Sequence, residues 1–431
     1  MSGIALARNL TDAGYRVLVL EGRDRVGGRL NSTTTVAPGS HVDLGAMWIH
    51  DGIAGRNPLY DLVVSLGLKV SPRQDYGSIA TFSYTGQRTN RSSFGRMFSS
   101  WYSQLQPALA RLKGATPADN RSFGDVYGEW LAANTQFTAA DRGQANMMMN
   151  TNYQSLLNGN VTQLSVARLG DAKSIPAVDV MLKDGFPALV DALVAKGGLD
   201  IRKNTVVTSV QQDGDGVIVA TADGTNYTAP YVVMTQTLGT LKAGDIVFDP
   251  ELPPEKLQAI EEMGFGVLDK ALFVFDKPFW DTSVDFLLRE MPDWSGRWSI
   301  FLNYHKLFGW PILAAIHVAD TARELEKLTD EQVIGEGMAV LRQLYPGAPQ
   351  PVQTAFTRWA AEPLSRGAYS YFAVGNPKNI TRTLAQPHGR VLFAGEATSD
   401  KPATVLGAYL SGLREAERLR TLLGKPTGTS A

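Results

Sequence analysis

Apolar positions in this chain follow two periods, and the changes of period mark its elements. Residues 2–14 place Ile4, Leu6, Ala7 and Leu10 at helical spacing and end on Gly14, a helix-capping residue. The next run, Y-R-V-L-V-L-E from Tyr15 to Glu21, is β-branched and closes on an acid, which predicts a strand. Near the other end, Val391 to Ala394 suit a buried strand, a G-E-A-T turn follows, and helical apolar spacing from Val405 predicts a helix packed on that strand. Between them, residues 183–193 predict a helix, and the D-G-D-G turn at 213–216 with a second D-G at 223–224 predicts a small antiparallel crossover. Residues 93–155 carry helical patterns rich in Met, Trp and Tyr, suited to a helical wall over a cavity, with Met147, Met148 and Met149 as core filler. Residues 321–343 predict one charged amphipathic helix with a solvated face, and 426–431 a disordered tail.

The first elements carry chemistry. Helix, tight turn, strand and a terminal Glu21 make the second half of a dinucleotide-binding βαβ unit, in which the carboxylate accepts hydrogen bonds from the adenosine ribose. Gly3 stands where the third glycine of G-x-G-x-x-G falls, and the strand and glycines before it are not in the sequence, so truncation within that motif is expected. An ordinary helix and strand of any α/β protein is the other reading. Next, E-G-R-D-R-V-G-G-R puts Arg23 and Arg29 with Gly28 beside the phosphate position, where guanidinium charge and close backbone approach suit a pyrophosphate. The helix after Thr404 and Val405 offers backbone N–H groups and a dipole end that stabilise negative charge.

Composition narrows the classes. At 431 residues the chain favours two domains sharing a cleft. Its net charge of −1, from 41 basic and 42 acidic residues, leaves no footprint for nucleic acid or anionic membrane, so small molecules are the expected partners. With no cysteine, disulfides, thiolate metal sites and a cysteine-tethered cofactor are excluded. No run of 18 apolar residues occurs, and a cytoplasmic location is expected.

Several stretches together resemble the flavin-containing amine oxidase family, which includes monoamine, polyamine and L-amino acid oxidases. They are the Glu21 segment, V-D-L-G-A-M-W-I-H at 42–50 followed by N-P-L-Y, T-L-G-T-L-K through V-L-D-K and F-W at 237–280, W-A-A-E-P-L-S-R-G-A-Y-S-Y at 359–371, and the motif at 391–412. The resemblance runs from residue 2 to about 420, and the W-I-H ending is similar to that of polyamine oxidases.

The resemblance implies an α/β fold: a Rossmann-like FAD-binding domain at 1–75, 182–265 and 355–425, interleaved with an α+β substrate-binding domain, a sheet flanked by helices, at 76–181 and 266–354. It implies FAD held non-covalently, because Ala368 stands where some monoamine oxidases carry a cysteine. Lys270 corresponds to a lysine that holds a water at flavin N5, Tyr369 to an aromatic flanking the flavin face, and Thr404 to the opposite wall, which is not aromatic here. Gly45, Ala46, Met47 and Trp48 form the flavin-facing loop, and Gly395 opens the turn whose Glu396 contacts the ribityl chain. Trp359 lies along the ring or in the core, Val207 reads the adenine edge or is an ordinary strand valine, and His50 touches substrate or is structural.

The implied reaction is hydride transfer from the α-carbon of an amine to flavin N5, imine hydrolysis, and reoxidation by O2 to H2O2, with no metal. Residues 152–165 hold no acid where several relatives have one, which leaves a polyamine, another amine or an amino acid open as substrate. A truncated homologue unable to retain FAD is the alternative of a different class. The oligomeric state stays open.

Overall fold

The helix foreseen at the start spans Ser2–Asp12, and Gly14 and Tyr15 close it by donating to the carbonyls of Thr11 and Leu10, each at 3.0 Å. The computed structural model describes residues 1–36, 39–89, 95–114, 120–168 and 178–424, so the tail reading at 426–431 lies outside the described residues. The strand after the helix is shorter than the run from Tyr15 suggested. Only Leu18–Leu20 is regular, where it pairs with the parallel strand Asp200–Arg202.

A second parallel pair joins Val232–Met234 to Val391–Phe393, the latter buried at every residue. The two pairs are not hydrogen-bonded into one sheet. Apolar side chains, Leu6, Leu10, Val17, Leu20, Tyr231 and Val233 among them, line the space between the pairs. The last helix, Val405–Leu423, packs across the first. A Cβ on Gly412 would stand 2.3 Å from the Ser2 carbonyl oxygen, so only glycine permits that approach.

Both D-G turns form hairpins. Val207–Asp213, Gly216–Thr221 and Asn226–Ala229 run antiparallel, and Val247–Asp249 adds a parallel edge. The main sheet has seven strands, in the order Gln353–Phe356, Leu268–Val274, Ile312–Val318, Ile300–Asn303, Phe286–Arg289, Ile79–Phe82 and Arg88–Thr89. Its central strands are buried at every position because helices cover both faces.

One face, carrying Leu268, Leu272 and Ile316, meets the helices between 95 and 157. These include two π-helical turns, Trp101–Leu105 and Asn150–Gln154, that the apolar spacing did not reveal. Met147, Met148 and Met149 are buried in that layer, as read from the sequence. The other face, carrying Ala271 and Phe273, meets what the sequence suggested was one helix at 321–343.

There the structure corrects the reading. Ala319–Glu326 ends, and Asp330–Leu344 starts on a capping box between Thr329 and Gln332. Reciprocal capping of free N–H groups starts a new helix where the charge pattern alone read as continuous. Val333, Met338 and Leu341 of the second helix are core residues, so one face is buried. Overall the chain is α/β, with Rossmann-like parallel strands and helices interleaved with an α+β unit whose sheet is flanked by helices. No helix among the described residues is long and apolar enough to cross a membrane.

Candidate active site

One cavity of about 1580 Å³ receives every site residue singled out in the sequence. One end of it begins where Leu18–Leu20 delivers Glu21, whose backbone is pinned by Arg202 O at 2.8 Å and Thr205 N at 2.9 Å. The Glu21 carboxylate accepts from Arg23 N at 2.9 Å. Gly3, in the first turn of the first helix, and Val207, at the start of its strand, face the same end.

The arginines are held by protein acceptors. Arg23 pairs with Glu362 and donates to Ser365 Oγ at 2.9 Å. Arg25, which was not singled out as a site residue, donates to Gly28 O at 2.9 Å. Arg29 donates to Ala368 O at 2.5 Å and Glu396 Oε1 at 3.0 Å. Glu396 is buried, and its Oε2 also accepts from Ser370 Oγ at 2.6 Å and Ala403 N at 2.8 Å. Such a carboxylate is satisfied on both oxygens and fixes the turn that leads to the last helix. Gly395 donates to Ser411 Oγ at 2.9 Å, and Thr404 caps that helix by accepting from Gly407 N at 2.8 Å. Thr404 and Val405 line the cavity, so the positive end of the helix dipole opens onto it.

Lys270 is fully buried on the sheet face shared with Leu268 and Leu272. Its Nζ donates to Asp43 O at 2.6 Å and Gly45 O at 2.7 Å. Burial lowers its pKa to about 8, against the attraction of Asp43 and Asp269. Burial likewise raises the Asp43 carboxyl to about 6, opposed by hydrogen bonds from Ser32 and Phe186 N. A Cβ on Gly45 would lie 1.8 Å from Arg29 O, which is why the loop through Ala46, Met47 and Trp48 can press so near. Met47 is buried under the Tyr304 hydroxyl, and Trp48 Nε1 donates to Gln74.

Asp269, on the opposite sheet face, accepts from Trp359 N at 3.0 Å and Thr357 Oγ at 2.7 Å, while Trp359 Nε1 donates to Leu44 O at 3.1 Å. The Trp359 ring is thereby tied to the same loop as Lys270. Tyr369 is half-buried and donates to Ser155 O at 3.3 Å on the helical wall.

His50 brings a partner that sequence reasoning missed. An antiparallel bridge between Ile49 and Val180 sets Asp179 beside it, with His50 Nδ1 3.0 Å from Asp179 Oδ2. Tyr76 donates to the same oxygen, and its ring stacks on Phe286 at 5.6 Å. The available signal was one aspartate in the apolar run V-D-V-M-L at 178–182, since a buried carboxylate needs partners. Beyond this cluster the cavity meets the helical wall, where Gln106 Nε2 donates to Tyr153 at 2.5 Å.

Comparisons with known proteins bear on the family and the fold. The family model described as flavin containing amine oxidoreductase matches residues 1–420. Polyamine oxidase 4 of Oryza sativa subsp. japonica is 31% identical over 450 residues, covering 97% of this chain and 87% of that protein. Lysine-specific histone demethylase 1 homolog 1 of Arabidopsis thaliana is 32% identical over 100% of this chain but only 52% of its own length. The solved structure of a redesigned triple mutant of putrescine oxidase superposes with a TM-score of 0.77 at 22% identity, covering 98% of this chain and 97% of that one, and shows the shared fold. Motifs, fold and the match over residues 1–420 converge: this chain belongs to the flavin-containing amine oxidoreductase family.

Proposed function

We propose that this chain is an FAD-dependent amine oxidase acting on a primary or secondary amine, with its cofactor held non-covalently. The observation that carries the reading is Lys270: a buried ammonium fixed on the Asp43 and Gly45 carbonyls, in the wall of a cavity shared with Tyr369, His50 and two helix N-termini.

The residues present fit a flavin dinucleotide. The cavity of about 1580 Å³ takes in the apolar space between the two strand pairs as well as the site residues, so its lining rather than its volume supports the cofactor. Gly28, at φ +60°, has nothing within 4 Å of where a Cβ would stand, as suits close approach by a phosphate. In this reading Glu21 takes the ribose, Gly3 and Gly28 the pyrophosphate with Arg23 and Arg29 near it, and Val207 the adenine edge. Glu396 and Gly395 take the ribityl chain, and the helix end at Thr404 and Val405 the charged ring edge. Ala368 and the lack of cysteine leave a thioether link no anchor. We assign the cofactor to 1–75, 182–265 and 355–425, and substrate binding to 76–181 and 266–354.

When bound, the flavin supplies the acceptor for the hydride leaving the amine's α-carbon and passes the electrons to O2, giving H2O2. The chain's own residues prepare that event. Only a neutral amine has the lone pair that expels hydride, and the apolar walls disfavour its charged form. Tyr369 flanks the substrate path, Trp359 would lie along the bound ring, His50 contacts the amine nitrogen, and Lys270 would hold a water at the flavin. Among the described residues lining the cavity the carboxylates are Glu21, Asp179, Asp245 and Glu396, and only Asp179 stands beside His50. A substrate with one cationic centre suits this distribution better than a long polycation.

One observation favours a second reading, a homologue that keeps the fold without retaining FAD: the separate parallel strand pairs at the dinucleotide end. The absorbance spectrum of the purified chain decides. A yellow protein bleached by amines without oxygen supports the oxidase; a protein that stays colourless with added FAD overturns it.

A further inference from the structure

Asp179 is almost fully buried, yet it lines the cavity; one of its oxygens accepts from the hydroxyl of Tyr76 and lies 3.0 Å from His50 Nδ1. A carboxylate only accepts and repels a lone pair, so a neutral His50 ring with Nδ1 3.0 Å from Oδ2 is expected to keep its proton on Nδ1, which leaves its lone pair on Nε2. That nitrogen has no partner among the described residues, and the ring lines the cavity. Tyr76 holds Oδ2 from the other side, its own ring braced on Phe286, and the bridge between Ile49 and Val180 fixes the spacing of the two backbones.

We propose that Asp179 is the positioning residue that makes His50 the proton acceptor for the incoming ammonium, an inference that rests on the amine oxidase reading above. The ammonium N–H bond breaks, the proton passes to His50 Nε2, and the nitrogen keeps the pair it needs to expel hydride. The positive charge moves from substrate to imidazolium, where Asp179 stabilises it through Nδ1–H. Without Asp179 the ring is free to turn or to adopt the other tautomer, and the proton has no fixed destination.

Two measurements test this. The first is the nitrogen NMR of the five histidines, assigned with a His50→Gln variant and read on the cofactor-free protein at a pH where His50 is neutral. His50 is expected protonated on Nδ1 in the wild type and to lose that preference in Asp179→Leu. An Nε2-protonated wild type, or an unchanged Asp179→Leu, overturns the proposal.

The second is anaerobic reduction of the FAD-loaded protein by benzylamine and by spermidine. Asp179→Leu is expected to lower the limiting rate at least about tenfold, and Asp179→Asn, which keeps an acceptor, to recover part of it. In a His50→Gln background the Asp179 change should cost less than about twofold, since both residues act in one step. A weaker apparent affinity with an unchanged limiting rate would make Asp179 a direct ammonium anchor and sink the positioning role. If neither amine reduces the wild type, the oxidase reading fails, and the tautomer measurement still judges Asp179.

Discussion

Lys270 Nζ lies 2.7 Å from the carbonyl oxygen of Gly45, a residue that itself abuts the Arg29 backbone too closely for any side chain. One lysine thereby ties the main sheet to the loop that carries Trp48 and His50. Burial without a formal counter-ion at hydrogen-bonding distance depresses its pKa to about 8.

Replacing Lys270 by Met should slow reoxidation of the reduced protein much more than its anaerobic reduction by amine. Stopped-flow measurement of the two half-reactions checks this, and equal effects on both would remove the role assigned to the lysine.

The same residue imposes a pH signature on stability. A lysine with its folded pKa lowered to about 8 binds fewer protons folded than unfolded between there and the ordinary 10.5, so its contribution to stability rises with pH across that window. Urea unfolding from pH 8 upward should show the wild type gaining on Lys270→Met by up to about 1.4 kcal/mol per pH unit. A constant difference would contradict the buried, depressed lysine.

Gly45→Ala would set a methyl against the Arg29 carbonyl and push the Lys270 acceptor away. Overpacking of this kind costs about 1–3 kcal/mol, so the melting temperature should fall and flavin retention with it. An alanine variant that melts and binds like the wild type would mean the loop can relax.

Glu396→Gln leaves Arg29 without its charged partner and weakens the bonds from Ser370 and Ala403. Hydrogen bonds to charged groups contribute about 1.5–3 kcal/mol each. We expect a loss of about 2 kcal/mol in urea unfolding and a weaker flavin titration.

His317 is buried against Trp298, with neither ring nitrogen partnered among the described residues, and burial lowers its pKa to about 3. The unfolded chain therefore binds the proton first, and stability drains away as pH falls from 6.5 toward 3. At pH 5, His317→Leu should recover about 2 kcal/mol relative to its difference from wild type at pH 7.5. Parallel acid profiles would rule out a neutral buried imidazole.

What the sequence by itself determined is local. The spacing of Ile4, Leu6, Ala7 and Leu10, the D-G turns and the Val391 run each named an element, because a helical or alternating period needs only neighbours a few residues away. The family motifs likewise named the residues that gather in the cavity, since each is a short contiguous run. Where two local signals competed, as at Thr329, the weaker-looking cap won over the charge pattern. Partnerships across the chain were decided only by tertiary structure. Lys270 meets Asp43 and Gly45, Asp269 holds Trp359, and Asp179 reaches His50 because strand registers and an isolated bridge juxtapose distant segments. No period records such a pairing, for a buried charge shows in sequence only that it needs a partner, and packing chooses which one.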